Sequence, residues 1–139
     1  MINRSFPMRS IPSIEVLVVE DDEPISTMIV RLLQRAGLTT DVAGSVVEAK
    51  RLLARGDYTV LVLDLRLADG TGLEVIDFVK SEQPPPIHIV VITAAEPGLI
   101  EQVDRRMVHA ILLKPLDIEE FVATVRALAI NGSAHLGAQ

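Results

Sequence analysis

Five side chains in this 139-residue sequence could together handle a phosphoryl group. Glu20 and Asp21 follow one apolar run, Asp64 closes a second, Thr93 a third, and Lys114 a fourth. Three carboxylates with no arginine fork among them would repel one another. A hard divalent cation relieves that repulsion, and an oxygen-only donor set suits Mg2+. Mg2+ takes few carboxylates and keeps several waters, which leaves room for a phosphate oxygen. A lysine and a hydroxyl are natural donors to phosphoryl oxygens, and an aspartate is a candidate nucleophile. Each residue alone has a plainer reading. Asp64 could start a turn, and Glu20–Glu23 could be an acidic helix start favoured by the macrodipole. Lys114 could be a surface lysine, and Thr93 an ordinary strand residue. The chemistry requires all five to meet.

A parallel sheet would make them meet, because all its strands end on one edge. Tyr58–Asp64 is an apolar run ending in a carboxylate, as a strand buried on both faces requires. Ile14–Val19 and Ile87–Ile92 read the same way, Thr39–Ala43 more weakly, and His109–Leu113 as a last strand. Helical spacing separates them. Ile25, Met28, Ile29, Leu32 and Leu33 form one stripe near Pro24, with Gly37 as its stop. Ser45 and Glu48 form a capping-box pattern for a helix over 46–55. Leu73, Ile76, Phe78 and Val79 mark a third helix, and Pro84-Pro85-Pro86 a stop and spacer. Pro97-Gly98 reads as a turn before a shorter helix carrying Leu99, Ile100, Val103 and Met107. Asp117 caps a final helix with Ile118, Phe121, Val122, Val125 and Leu128, ended by Asn131-Gly132. Five strand–helix units imply an α/β fold with helices on both faces of a parallel sheet.

Composition narrows the function. The formal charge of −6 argues against a nucleic-acid surface, which needs a basic patch. The absence of cysteine excludes disulfides, thiolate metal sites and thiol catalysis. No apolar run approaches the ~18–20 residues of a membrane span. Met1–Ser13 carries Arg4 and Arg9 but no apolar signal core, so a cytoplasmic protein without membrane insertion is expected. His88 and His109 lie in apolar strands and read as packed or edge residues; His135 lies in the tail.

Four stretches in order resemble the receiver domain of bacterial two-component response regulators. They are Val18-Val19-Glu20-Asp21-Asp22-Glu23-Pro24, the run Leu63-Asp64-Leu65-Arg66-Leu67-Ala68-Asp69-Gly70-Thr71-Gly72, Ile92-Thr93-Ala94, and Leu113-Lys114-Pro115. The resemblance implies a flavodoxin-like (βα)5 fold of three layers, with strand order 2-1-3-4-5. It implies a receiver over residues 14–130, between a flexible arm over 1–13 and a flexible tail over 131–139. Asp64 would accept the phosphoryl group from a sensor histidine kinase or a histidine phosphotransfer protein. Asp21, Asp64 and the backbone carbonyl of Arg66 would ligate Mg2+, with Glu20 acting through water. Lys114 and Thr93 would bind the phosphoryl oxygens, and Lys114-Pro115 would be a cis peptide. Such a protein is not an enzyme. It signals through a downstream protein target, without direct nucleic-acid contact, and the family's homodimers form through the fourth and fifth helix face.

The sequence departs from that family at several places. Ala68 stands where proline is frequent, and Ile111 where many receivers carry a switching Tyr or Phe. Met107-Val108-His109-Ala110 lacks the usual Gly-Ala, and Pro97-Gly98 interrupts the approach to the fourth helix. Arg66 sets a bulky cation at a position that tunes phosphoryl lifetime in the family. Two alternatives remain: a receiver fragment of a longer regulator or hybrid protein, and an aspartyl-nucleophile phosphatase. The phosphatase pattern wants Asp-x-Asp at the strand end, whereas Asp64 is followed by Leu65-Arg66.

Overall fold

Strands buried on both faces need apolar side chains at every position, and three stretches of this chain supply them. In the computed structural model, which describes residues 14–82, 87–94 and 96–138, they become β1 (Val16–Val19), β3 (Val60–Asp64) and β4 (His88–Thr93). β2 (Thr40–Ala43) and β5 (Ala110–Leu113) flank them as the sheet edges. All pairings are parallel, in the order β2-β1-β3-β4-β5 expected for a flavodoxin-like sheet. Several strands begin a residue or two later than their apolar runs. At those sites the ladder, rather than hydrophobicity, sets the boundary.

The helices lie in two layers. α1 (Glu23–Arg35) and α5 (Ile118–Ala138) cover one face, where Ile29, Leu33, Phe121, Val125 and Leu128 meet Val16, Val18, Val60, Val62, Val90 and Ile92. On the other face α2 (Val46–Arg55), α3 (Gly72–Glu82) and α4 (Pro97–Glu101) pack against Leu17, Val19, Leu61, Leu63, Ile89 and Val91. Alternation along each strand divides the two cores, since successive side chains point to opposite faces.

Local chemistry starts and stops these helices. The Asp22 carboxylate accepts the Ile25 N–H at 3.1 Å, with Pro24 in the first turn of α1, where its missing N–H costs nothing. Gly37, with φ +89°, takes the left-handed conformation that ends α1, and the Leu38 N–H returns to the Leu33 carbonyl at 3.0 Å. The Ser45 hydroxyl accepts the Glu48 N–H at 3.1 Å, while the Glu48 carboxylate reaches the Gly44 N–H at 3.0 Å, one residue short of a reciprocal capping box. Asp117 caps α5 through the Glu120 N–H at 3.0 Å.

Three expectations need correction. Pro97-Gly98 is the first turn of α4 rather than a turn before it, because proline's fixed φ suits the first helical position. That helix ends at Glu101, and Val103 and Met107 reach the core from turns. Asn131-Gly132 does not end α5, which continues to Ala138. Glycine costs a helix interior about 1 kcal/mol and removes no hydrogen bond, so it slows a helix without breaking it. Pro84-Pro85-Pro86 and residues 1–13 lie outside the described residues.

The segment after Asp64 folds tightly, as a two-residue ribbon pairing Arg66–Leu67 with Gly70–Thr71. Two contacts fix it. The Gly72 N–H donates to the Leu65 carbonyl at 2.8 Å. Asp69 reaches across to α2 and accepts the N–H groups of Val46 at 2.8 Å and Val47 at 3.2 Å. Those donors belong to a first helical turn, which has no intrahelical partner for them. The Val46 bond, more than any other contact, holds the Asp69 carboxyl below its ordinary range, against the smaller opposing effect of burial.

Two outcomes are expected. A Cβ at Gly72 would lie 2.6 Å from the Asp64 carbonyl oxygen and 3.1 Å from the Leu65 Cα, backbone atoms that cannot rotate aside, whereas a Cβ at Gly98 would meet nothing within 4 Å. Urea denaturation should therefore show Gly72→Ala destabilised by about 1–3 kcal/mol. Gly98→Ala should be unchanged or slightly stabilised. A carboxyl depressed in the folded state contributes stability above its unfolded value of about 3.9, lost as pH falls through the folded value. Asp69→Ala should thus melt below the wild type at neutral pH. The gap between the two melting curves should close as pH drops below about 4.

Candidate functional site

β1 and β3 are neighbours in the sheet while their connections leave to opposite sides, which opens a crevice at their carboxyl ends. β1 delivers Glu20 and Asp21 to it, and β3 delivers Asp64. One carboxylate oxygen from each of the three lies within 4.8 Å of the others. Glu20 and Asp64 are buried, and Asp21 is exposed at the rim.

Lys114 enters from the end of β5. Its Nζ lies 2.8 Å from Glu20 Oε1 and 2.8 Å from Asp64 Oδ2. The Lys114 N–H donates to the Thr93 carbonyl at 2.8 Å, and the Lys114-Pro115 peptide is cis. The second oxygens of both buried carboxylates are held by backbone: Glu20 Oε2 by the Asp22 N–H and Asp64 Oδ1 by the Arg66 N–H, each at 3.1 Å. Burial raises the Glu20 carboxyl above its usual range, opposed by its bonds to Lys114 and the Asp22 N–H. Burial would lower Lys114, but its bonds to Asp64 and Glu20 outweigh that and raise it. The two directions are compatible because one ammonium serves two carboxylates. It is well compensated, and each of them only partly.

Thr93 is fully buried at the end of β4, and its hydroxyl finds no hydrogen-bond partner among the described residues. A buried hydroxyl without a partner is costly, so an acceptor arriving at this edge would meet a ready donor. Ile111 is half-buried in β5, in register with Val91 and on the same face of the sheet as Thr93. Glu20, Asp21, Asp64, Thr93 and Lys114 are therefore brought to one edge. Ile111 sits two residues further back, packed against the core formed by α2, α3 and α4.

The donor set fits a hard divalent cation. Three carboxylates and one ammonium leave two negative charges, all on oxygen, and one carboxylate is open to water. A cation bound there would withdraw charge from a transferring phosphoryl group and orient its oxygens.

Two polar contacts around the site carry no sequence signal. Asp69 on α2 is one. The other joins Arg66 to Glu96, whose carboxylate takes the Arg66 Nε at 3.0 and 2.9 Å and also its Nη2. Among the described residues no helix is long and apolar enough to cross a membrane.

Comparison with known proteins agrees with this architecture. A family profile described as the response regulator receiver domain matches residues 16–126. The photosynthetic apparatus regulatory protein RegA of Rhodovulum sulfidophilum is 32% identical over 136 residues, covering 96% of this chain and 70% of that protein. The chain spans only 42% of the RegA proteins of Cereibacter sphaeroides and Rhodobacter capsulatus. Among solved structures, the response regulator TrrA of Thermotoga maritima in complex with Mg2+-BeF shares the fold, with a TM-score of 0.73 at 24% identity over 82% of this chain and 97% of that one. A response regulator of Burkholderia pseudomallei with a phosphorylated aspartic acid, a calcium ion and citrate has a TM-score of 0.72 at 26% identity, over 87% of this chain and 71% of that one. The extent of the family match, and a relative covered over most of its length, lead to one conclusion: the chain belongs to the response regulator receiver domains of two-component signalling.

Proposed function

We propose that this receiver accepts a phosphoryl group on Asp64 from the phosphohistidine of a sensor kinase or a histidine phosphotransfer protein. The observation that carries the reading is the Lys114 bridge between Asp64 and Glu20 at the carboxyl end of β3. It marks Asp64 as a carboxylate held ready beside a cation and an acidic pair. In the transfer, an Asp64 oxygen bonds to phosphorus while the phosphorus–nitrogen bond of the donor breaks. The electron pair of that bond stays on the imidazole nitrogen. Lys114 can follow the charge from the Asp64 oxygen to a phosphoryl oxygen, and the Thr93 hydroxyl has no bond among the described residues to give up. Asp21, Asp64 and the Arg66 carbonyl would hold Mg2+, with Glu20 acting through water. Support for both parts comes from the Burkholderia protein, solved with a phosphorylated aspartic acid, and from the Thermotoga protein, solved with Mg2+-BeF.

The receiver unit in this reading spans residues 14–130, is cytoplasmic, and acts as a signalling module rather than an enzyme. Its output is altered protein binding, with the α4–β5–α5 face and Ile111 as the responsive surface and as the surface for a homodimer. A second reading is favoured by the length of the relatives: the chain is the receiver part of a longer regulator. Mass measurement of the protein from its native source separates the two.

Incubation with acetyl phosphate and Mg2+ should add one phosphoryl group, seen as a single mass increment. Asp64→Asn should abolish it, and undiminished labelling of that variant would refute the assignment. By calorimetry, Asp21→Asn should weaken Mg2+ binding by about tenfold or more, as removal of a directly bound charge should. Without metal the same variant should melt at or above the wild-type temperature, because it removes one of three crowded negative charges.

A further inference from the structure

Arg66 faces the site with its backbone and turns its side chain away. Its N–H donates to Asp64 Oδ1 at 3.1 Å. Its guanidinium forks onto the Glu96 carboxylate, a planar bidentate pairing, while remaining within electrostatic reach of Asp64. Glu96 lies three residues beyond Thr93 and occupies the N-cap position of α4. Its side chain makes no capping bond, being committed to Arg66, while its carbonyl accepts the N–H groups of Leu99 and Ile100 at 3.1 and 3.0 Å. One ion pair thus joins the residue two positions after Asp64 to the start of α4. That helix has five residues, none of them fully buried; Leu99 and Ile100 pack partly against the core, while Pro97 and Gly98 at its start are exposed. The Arg66 side chain is 64% exposed.

We propose that the Arg66–Glu96 pair is a latch that holds the start of α4 in the unphosphorylated state, and that a phosphoryl group on Asp64 opens it by competing for the Arg66 guanidinium. The proposal rests on Asp64 being the phosphoacceptor. Glu96 offers one negative charge. A phosphoryl group offers nearly two, with three acceptor oxygens, and repels Glu96 as it arrives. The backbone of Arg66 is already bonded to Asp64, so the guanidinium needs only rotamer changes to exchange partners. Release of Glu96 then frees α4 directly, so the signal does not depend on a large side-chain swing at Ile111, a route suited to a receiver that lacks an aromatic side chain there. An exposed ion pair is a weak restraint, so opening it in advance should favour the phosphorylated form by about two- to fivefold.

The test uses the full chain with Mg2+ and beryllofluoride as the phosphoryl mimic, read by amide chemical shifts and by half-saturation. In the wild type, beryllofluoride should shift the amides of residues 98–101. Glu96→Gln should place those amides at the shifted positions without beryllofluoride and lower the half-saturating concentration by about two- to fivefold. Arg66→Gln should free the same amides but not gain affinity, because it also removes the cation that the mimic recruits. If Glu96→Gln leaves both the amides and the half-saturation at wild-type values while the wild type responds normally, the latch is refuted and the phosphoacceptor assignment stands. Absence of any saturable wild-type response that depends on Asp64 overturns the assignment and the latch together.

Discussion

A single ammonium group, Lys114 Nζ, sits between two buried carboxylates that arrive on different strands. The rest of the site depends on this arrangement. A parallel sheet sends every strand end to one edge, so polar residues placed there must share a small volume whether or not their charges agree. Here β1 and β3 bring negative charge and β5 brings the compensating cation, 94 residues from Glu20 and 50 from Asp64 in sequence. Without the cation, the buried carboxylates would carry an uncompensated charge, a far greater cost than an exposed pair could offset. With it, the site still holds excess negative charge and a Thr93 hydroxyl without a partner among the described residues. Excess charge carried on oxygen suits a hard cation.

The strands were legible because burial on both faces leaves no room for polar alternation, so Val16–Val19 and Val60–Asp64 could hardly be anything else. Their ends were legible too, since a charge after such a run can only mark the sheet edge. Ser45, Asp117 and Gly37 declared helix boundaries through local bonds that span three to five residues. The length of α4 was not legible. Leu99, Ile100, Val103 and Met107 have helical spacing, but spacing shows which side of a segment is buried and not which backbone puts it there. Turns satisfy the same burial after Glu101.

Contacts across the chain escape a reading of spacing altogether. Asp69 caps a helix that begins 23 residues earlier, and Glu96 meets Arg66 across 30 residues. As residue types, all three match the solvated charges of any acidic surface. Both contacts attach the ribbon after Asp64, one to α2 and one to α4. The loop that follows Asp64 is therefore held from two sides by bonds that only the folded chain reveals.

Tyr58 gives this architecture a spectroscopic character of its own. It is the sole tyrosine, there is no tryptophan, and its hydroxyl donates to the Asp41 carboxylate at 2.7 Å. It precedes β3, at the opposite end of that strand from Asp64. Burial, and then the bond to Asp41, push its ionisation above the usual phenol range. Ultraviolet emission from the native chain therefore comes from the base of the sheet, at the far end of β3 from Asp64. A fluorophore that reports on the site has to be built in. Ile111→Trp, on the same face of the sheet as Thr93 and two residues further from the edge, would supply one whose emission is separable from that of Tyr58.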